Sequence, residues 1–355
     1  MLALLCSVFQ AAPALVAPMY LENTPPPVRC AQHILLTPRA STDEADQVLA
    51  WSELEAETRA LLARLRAGAD FGAEAAQVSD APDARTGACF GAMPRGVLHP
   101  QFESFLWSAA VGDLSAPIRT DAGITVLKRV PERIGVRLVV VPLDNRARAA
   151  EVAQSLAAGA DFLELAARYN EDSGLRERQG AFAVLERGPR DVLLKKLAFE
   201  LAPKVVSAPQ QWPMGLTWVR AEDPAGFAPE LVEPSFVRLR ALLISYEGAR
   251  LAPAGARAQP EAKRFLDELR ARAQAQRQAN ETHDPALYAQ DVYARLCAAF
   301  TDEPGGRERS GDLGWIHRDL PNCPDPLLRS LVLPVGGLSE VLSDARGFWL
   351  VRRER

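Results

Sequence analysis

A five-residue word that occurs twice places the strongest constraint on how this chain can fold. Ala67-Gly68-Ala69-Asp70-Phe71 recurs as Ala158-Gly159-Ala160-Asp161-Phe162, 91 residues further on. Self-similarity at such an interval is typical of a chain built from repeated units, each the size of a small domain. The 355 residues leave room for two or three domains at about 100–200 residues each.

Three stretches of the chain share the same beginning and the same end. Each begins with a short apolar run, and such runs predict strands. Each ends with a serine that precedes a glycine by eight residues, a spacing that predicts a strand, a turn and a closing strand. The apolar runs are residues 31–36, 138–141 and 239–244, and the serine–glycine pairs are Ser115 and Gly123, Ser207 and Gly215, and Ser339 and Gly347.

An amphipathic helix is predicted after the first apolar run. Ser41 and Glu44 have the spacing of a capping box at the start of a helix. Apolar residues then recur on one helical face. These residues are Trp51, Leu54, Leu61 and Leu65.

Linkers between the repeated units predict the domain boundaries. Val130-Pro131-Glu132 separates the first unit from the second, and residues 221–234 separate the second from the third. The expected segments are a leader and Pro-rich linker at residues 1–26 and domains at residues 27–131, 133–222 and 235–355. Polar sequence at residues 246–260 and 271–285 predicts an exposed loop and a solvated helical extension in the third domain.

The first 17 residues are apolar and carry no charge, which is typical of a secretory leader. A run of this length is short for a membrane-spanning helix, which needs about 20 residues. The pattern therefore predicts an exported protein of the periplasm or cell envelope. Cleavage after Ala17 and retention of the segment as an anchor both fit the sequence.

Charge and cysteine content exclude several classes of function. The formal net charge is −4, whereas a nucleic-acid-binding surface requires a concentration of basic residues. The five cysteines are scattered and include no C-x-x-C pair, so the sequence predicts no metal site and favours isolated thiols over a disulfide framework. His99, His283 and His317 form no cluster in the sequence, and we expect them at the surface.

Taken in order, the words of each unit resemble the parvulin (rotamase) family of peptidyl-prolyl isomerases. The first unit has His33-Ile34-Leu35-Leu36, Gly68-Ala69-Asp70-Phe71, Ser79-Asp80 and Gly112-Asp113-Leu114-Ser115. The third has Thr301-Asp302, Gly311-Asp312-Leu313-Gly314-Trp315 and Gly337-Leu338-Ser339, and the second has Gly159-Ala160-Asp161-Phe162 and Gly180-Ala181-Phe182. The resemblance covers nearly all of the chain after about residue 27.

The resemblance implies an α+β fold of three tandem parvulin-like domains, each a four-stranded antiparallel sheet wrapped by short helices. It also implies an activity that needs no cofactor. An X-Pro bond rotates slowly because its barrier is roughly 18–20 kcal/mol. A rotamase lowers this barrier by gripping the proline ring and favouring the twisted amide over the planar one.

Matching the family's pattern residue by residue gives a set of candidate site residues. The resemblance implies catalytic roles for His33 and for Thr125, which stands where the family has a closing-strand histidine. It implies peptide-binding roles for residues of an apolar slot that accepts the proline ring. These are Phe90, Leu98, Phe102 and Thr120 in the first unit and Leu313 and Leu320, with Leu327, in the third.

The sequence departs from the family where the polar groups are expected. Leu138 and Ala241 match the position of His33 in the second and third units. Trp218 and Trp349 are expected at the closing-strand position of Thr125, and closing-strand core residues of this kind pack rather than bind. The family's Asp or Cys after the Ser-Asp pair matches Ala81 in the first unit and Glu303 in the third.

Three hypotheses for the function remain open on the sequence. The first is an exported isomerase or foldase whose catalysis lies in the first domain and whose substrates are unfolded or proline-containing polypeptides. The second is a chaperone that holds polypeptides without isomerising them, with several weak sites acting together. The third is an envelope scaffold, which would be indicated by slots filled with the protein's own side chains.

Overall fold

The computed structural model of the protein describes residues 19–86, 88–188, 193–250, 252–281 and 291–355. The predicted leader, His283 and the last residues of the polar insertion, 282–285, lie outside the described residues. Within the described residues, no helix combines the length and the apolar character that crossing a membrane requires.

The described residues contain three four-stranded sheets with one shared strand order. In each sheet the order is second, first, fourth, third. The first strand pairs antiparallel with the fourth, as does the fourth with the third. The strands are β1 (Val28–Leu36), β2 (Cys89–Pro94), β3 (Ile118–Thr120), β4 (Gly123–Val130), β5 (Arg133–Val141), β6 (Ala181–Glu186), β7 (Gln210–Trp212), β8 (Gly215–Glu222), β9 (Phe236–Ile244), β10 (Asp312–His317), β11 (Leu342–Asp344) and β12 (Gly347–Arg353).

Helices connect the first strand of each sheet to the second and the second to the third, so the fold is α+β, as the sequence predicts. The α-helices are α1 (Glu44–Arg66), α2 (Phe71–Val78), α3 (Pro100–Ser108), α4 (Arg146–Ala157), α5 (Phe162–Tyr169), α6 (Ser173–Glu177), α7 (Leu193–Glu200), α8 (Gln259–Glu281), α9 (Val292–Phe300) and α10 (Asp325–Ser330). Short 3-10 turns lie at Ala84–Thr86, Pro224–Gly226 and Pro229–Leu231.

The repeated five-residue word marks the start of the second helix in the first two sheets. Asp70 caps α2 by accepting a hydrogen bond from the Ala73 N–H, and Asp161 caps α5 in the same way. Such side-chain caps satisfy backbone donors that a helix terminus leaves unpaired. Asp43, rather than the predicted Ser41, caps α1, because the helix begins two residues later than the capping-box spacing suggests.

One face of each sheet packs against the preceding helices to form a core. In the first sheet, Ile34 and Leu36 of β1 pack with Leu54, Leu61 and Leu65 of α1. These three leucines were predicted to share a helical face, and all are buried. Equivalent clusters join β5 to α4 and α5, and β9 to α8 and α9.

The chain divides into two compact units. One comprises residues 28–92 and 100–234, and the other comprises residues 1–27, 93–99 and 235–355. The predicted domain boundaries remain predictions.

The serine that recurs eight residues before a glycine ties the closing strand of every sheet to the preceding turn. The Ser115 hydroxyl accepts a hydrogen bond from the Leu127 N–H at 2.9 Å, and the Ser115 N–H donates to the Leu127 carbonyl at 2.8 Å. Ser207 and Val219, and Ser339 and Val351, form the same reciprocal pair. All three serines are buried, so the exchange satisfies closing-strand groups that water cannot reach.

The glycine of the same pattern permits a close approach between the first and fourth strands. Gly123, Gly215 and Gly347 have φ angles of +144°, +139° and +146°. A Cβ at Gly123 would lie 2.1 Å from the carbonyl oxygen of Leu36, and the other two glycines face the equivalent oxygen at 2.5 and 2.4 Å. Both the backbone angle and the space therefore require glycine.

We predict that Ser115→Ala, Ser207→Ala and Ser339→Ala each destabilise the protein by about 1–3 kcal/mol, because each leaves a buried closing-strand N–H unpaired. Urea unfolding followed by tryptophan fluorescence measures the change. Ser108→Ala is the matched control, since the Ser108 hydroxyl donates within an exposed helix end and its loss should change stability by less than about 0.5 kcal/mol. Equal effects at Ser115 and Ser108 would contradict the structural role of the repeated serine.

Candidate functional site

The candidate site of the first domain lies on the sheet face opposite the core. His33 pairs with Leu127, and Leu35 pairs with Thr125. Because alternate residues of a strand point to the same face, His33, Leu35, Thr125 and Leu127 share one face. His33 and Thr125 are diagonal neighbours there, a relation that separates side chains by about 7–8 Å.

Three rings stack beside this strand pair. The ring of His33 lies parallel to that of Phe90, with centroids 4.0 Å apart and an interplanar angle of 2°. Phe90 in turn stacks on Phe102, at the start of α3, with centroids 5.9 Å apart. Phe90 and Phe102 expose 5% and 1% of their surface. The predicted slot residues therefore form a closed aromatic stack, and a proline ring would have to separate or displace part of it.

Asp83 supplies a carboxylate that the sequence comparison with the family did not find. Its Oδ1 lies 3.1 Å from Nε2 of His33, and its side chain is 23% exposed, whereas the histidine side chain is 4% exposed. The expected acidic position is Ala81, so the carboxylate stands two residues later in the same loop. The sequence Ala81-Pro82-Asp83 carried a usable signal, because an acidic residue stands two positions after the expected one.

The other ring nitrogen of His33 has no hydrogen-bond partner among the described residues, although it is buried. An unpaired buried polar atom is costly, and native proteins keep few of them outside functional sites. The buried, unpaired Nδ1 therefore makes His33 a candidate for contact with a ligand that rearranges its surroundings.

The two threonines of the predicted site lie on the hairpin that closes the sheet. Thr125 is buried on β4, on the same face as His33. Thr120 ends β3 and pairs with Gly123 across the turn, and its hydroxyl lies 3.4 Å from the Gly123 carbonyl. The remaining slot residue of the first domain, Leu98, is buried on segment 93–99, which belongs to the other compact unit.

The second domain has an apolar residue at the position of His33. Leu138, at the position of His33, packs with Val136, Val219 and Ala198 in a buried cluster. The residue at the position of Thr125 is Thr217, which pairs with Val140, and not the predicted Trp218. Trp218 lies one residue further and packs into the opposite face with α4 and α5. Because successive strand residues alternate between faces, a register error of one residue moved the prediction to the wrong side.

The third domain also lacks the polar pair. Ala241 stands at the position of His33, and Trp349 stands at the position of Thr125, fully buried, with its indole N–H donating to Asp344 at 2.9 Å. The predicted slot residues Leu313, Leu320 and Leu327 lie on β10, in the following loop and on α10, and each is buried. Pocket and core roles for these leucines remain predictions.

The described histidines outside the first site differ from the surface prediction in one case. His317, at the end of β10, is completely buried, and its Nδ1 accepts a hydrogen bond from the Asp319 N–H. His99 is half-buried. The prediction for His317 was wrong because an isolated histidine in a polar stretch of sequence gave no sign of the strand it ends.

A charged pair occupies the third domain at the position matching Ala81. Both carboxylate oxygens of Glu303 accept hydrogen bonds from Arg309, at 2.9 and 2.7 Å. A cavity of about 350 Å³ beside them is lined by Asp302, Arg307 and Glu308 among others. Burial raises the pKa of the Glu303 carboxyl, and the attraction of Arg309 offsets this only in part.

We predict that Glu303→Gln makes stability less sensitive to pH. A carboxyl whose pKa is higher in the folded than in the unfolded state contributes stability below its unfolded pKa, and this contribution is lost as pH rises through the folded pKa. From its ordinary value near 4.5 upward, the unchanged protein should therefore lose unfolding free energy relative to the glutamine variant.

Urea midpoints between about pH 4 and pH 7 measure this difference. The exposed Glu268 of α8, changed to Gln, is the matched control and should leave the pH profile unaltered. A Glu303→Gln profile parallel to that of the unchanged protein would contradict the effect of burial.

Comparison with known proteins relates this geometry to a family. The model of the rotamase family, described as the PPIC-type PPIASE domain, matches residues 33–130 and 144–223, together half of the chain. These ranges hold most of the first two sheets, including His33, Asp83 and Thr125. The chain belongs to the PPIC-type peptidyl-prolyl isomerase family.

Two curated relatives carry the name chaperone SurA. The protein from Pseudomonas fluorescens (strain Pf0-1) is 35% identical over 160 residues, which are 41% of this chain and 36% of that protein. The protein from Methylobacillus flagellatus is 30% identical over 201 residues, which are 52% of this chain and 45% of that protein. The chain thus spans less than half the length of these relatives.

Among solved structures, the peptidylprolyl isomerase PrsA from Bacillus cereus is similar to part of the chain. It is 25% identical, with a TM-score of 0.24, over 26% of this chain and 35% of that one.

Proposed function

We propose that this chain is a foldase that binds unfolded or proline-containing polypeptides and that its isomerase site lies in the first domain. The observation that carries the proposal is the arrangement of His33 between a ring stack and a carboxylate. His33 is held parallel to Phe90, lies 3.1 Å from Asp83 and shares its sheet face with Thr125. The second and third domains have Leu138 and Ala241 at the position of His33, so neither has a histidine there.

The chemistry of such a site requires no covalent step. Rotation about an X-Pro bond removes amide resonance and localises an electron pair on the proline nitrogen. The transition state is therefore stabilised by an apolar surface for the ring and by polar groups positioned beside the twisted amide. His33 and Thr125 supply the polar groups, while Phe90 and Phe102 supply the surface. Asp83, whose Oδ1 lies 3.1 Å from Nε2, positions the histidine ring.

We further propose that the second and third domains hold polypeptide without isomerising it. Leu138 and Trp349 fill the positions that carry the polar residues of the first domain, and both are fully buried. Export to the periplasm or cell envelope is proposed from the apolar first 17 residues. The two relatives compared above are both named chaperones, which supports a role in handling other polypeptides.

We expect His33→Phe to lower kcat/KM for a short Xaa-Pro peptide by roughly 10²-fold. Asp83→Asn should lower it by a smaller factor. His33→Phe retains the ring stack and removes the nitrogens, so it tests the polar contribution alone, which is typically worth about 10²-fold or more. Phe102→Leu should raise KM, because it reduces the surface that grips the proline ring. A protease-free prolyl isomerisation assay measures all three variants.

Asp144→Asn is the control for charge, because Asp144 is an exposed carboxylate in the second domain. Circular dichroism establishes that each variant is folded. If the unchanged chain leaves the spontaneous rate unaltered for several residues before proline, the isomerase proposal fails. Suppression of aggregation of an unfolded client by that same chain would then favour the holding function.

A further inference from the structure

The second strand of each sheet lies at one edge of that sheet and is contacted there by a segment from elsewhere in the chain. β2, β6 and β10 each lie at the end of their sheet's strand order. At equivalent positions, the Ala92 N–H donates to the Arg187 carbonyl at 2.8 Å, and the Trp315 N–H donates to the Tyr20 carbonyl at 2.9 Å. Val184 pairs with Val232, and its carbonyl accepts from the Glu233 N–H. An uncovered edge would be a template for pairing with another chain.

The edge of the third sheet contacts its occupant chiefly through main-chain oxygens of that segment. The occupant is the segment Tyr20-Leu21-Glu22-Asn23, and each of its four carbonyl oxygens accepts a hydrogen bond. Arg238 donates to the oxygens of Leu21 and Glu22 at 3.3 and 3.0 Å, and the Trp315 indole donates to Glu22 at 3.0 Å. Arg355 donates to the oxygen of Asn23 at 3.2 Å.

The close approach of this segment depends on a glycine in β10. A Cβ at Gly314 would lie 2.2 Å from the Tyr20 oxygen. We call the surface formed by Phe236, Arg238, Gly314, Trp315 and Arg355 the β10 groove. Its donors are two arginine side chains, one indole and one backbone N–H, and none of them depends on the side chains of the bound segment.

A single side chain of the occupant is embedded. The Tyr20 ring packs edge-to-face against Phe236 with centroids 6.4 Å apart, its hydroxyl donates to the Arg95 carbonyl, and 8% of the residue is exposed. Leu21 is 43% exposed, and Glu22 and Asn23 are also exposed. Recognition therefore combines one aromatic anchor with three positions whose side chains are exposed to solvent.

We propose that the β10 groove is a binding site for short polypeptide segments that carry an aromatic residue, and that residues 20–23 are its displaceable internal occupant. This proposal builds on the proposed polypeptide-binding function but requires no catalysis in the first domain. A segment bound at a sheet edge gains affinity from hydrogen bonds to its main chain and specificity from a side-chain pocket. It suits a protein that must bind unfolded chains of many sequences.

The occupant competes with any free peptide because it belongs to the same chain. A free peptide of equal intrinsic affinity would displace it only near the effective concentration that the connecting chain gives the segment. Weakening the occupant without altering the groove should lower that concentration.

The test measures binding of a fluorescein-labelled peptide with the sequence of residues 19–24, Met-Tyr-Leu-Glu-Asn-Thr, which contains no proline. Fluorescence anisotropy is recorded with the full chain and its variants. Tyr20→Ala should bind the probe at least about tenfold more tightly than the unchanged chain, because it removes the anchor of the occupant. Asn23→Ala, which changes an exposed side chain of the same segment, is the matched control and should bind as the unchanged chain does.

Two further comparisons identify the groove as the binding site. In the Tyr20→Ala chain, Trp315→Phe should weaken binding, since it removes the indole N–H and retains an aromatic ring. A probe whose tyrosine is replaced by alanine should bind weakly, whereas a probe with the last three residues permuted should bind equally well.

Absence of probe binding to folded Tyr20→Ala chain up to mM concentrations would overturn the proposal, as would binding that is indifferent to both Tyr20→Ala and Trp315→Phe. The isomerase assay with the same variants separates this result from the fate of the catalytic proposal. Tyr20→Ala and Trp315→Phe leave His33, Asp83 and Thr125 in place, so failure of the groove proposal leaves the proposed isomerase site untouched.

Discussion

The antiparallel pairing of the first strand with the fourth determines what each of the three sheets can present to a ligand. A glycine with a left-handed φ starts the fourth strand against a carbonyl of the first. A buried serine then exchanges two hydrogen bonds with the residue that lies four positions after this glycine in the same strand. These two contacts hold the register. Since a shift of one residue would exchange the two faces of the strand, the register decides which side chains face the core and which face the site.

The three domains show how one backbone frame supports different chemistry. At the position of His33 the other sheets have Leu138 and Ala241, and both are fully buried. The frame does not require the histidine, because an apolar residue pairs and packs there equally well. A histidine with a buried, unpaired ring nitrogen is a cost to the stability of the first domain, which agrees with the ligand-binding role proposed for it.

Much of the fold was predictable from the sequence, because the repeated serine and glycine have local structural causes. The apolar runs, the helix caps at Asp70 and Asp161 and the α+β class follow from patterns over a few residues. The site was predictable only in part. Trp218 was assigned to the site face by counting along the closing strand, but the sequence alone does not fix the register of that strand. The residue on the site face is Thr217. Asp83 was missed because a loop can bring a carboxylate to the same point from a position two residues away.

Faces and edges of these sheets differ in what they can recognise. A sheet face offers side chains, so it can select a proline ring and stabilise one geometry of its amide, as proposed for His33 and Phe90. A sheet edge offers backbone groups, which every polypeptide can pair with, so an edge binds extended segments with little regard to sequence.

The first two edges are covered by chain segments that lie within the same run of residues, 28–234, as the strands they cover. The third edge is covered by a segment more than two hundred residues earlier in the chain, held by its carbonyls and one tyrosine ring. Of the three coverings, it is the one whose contacts an unrelated extended polypeptide could reproduce most fully.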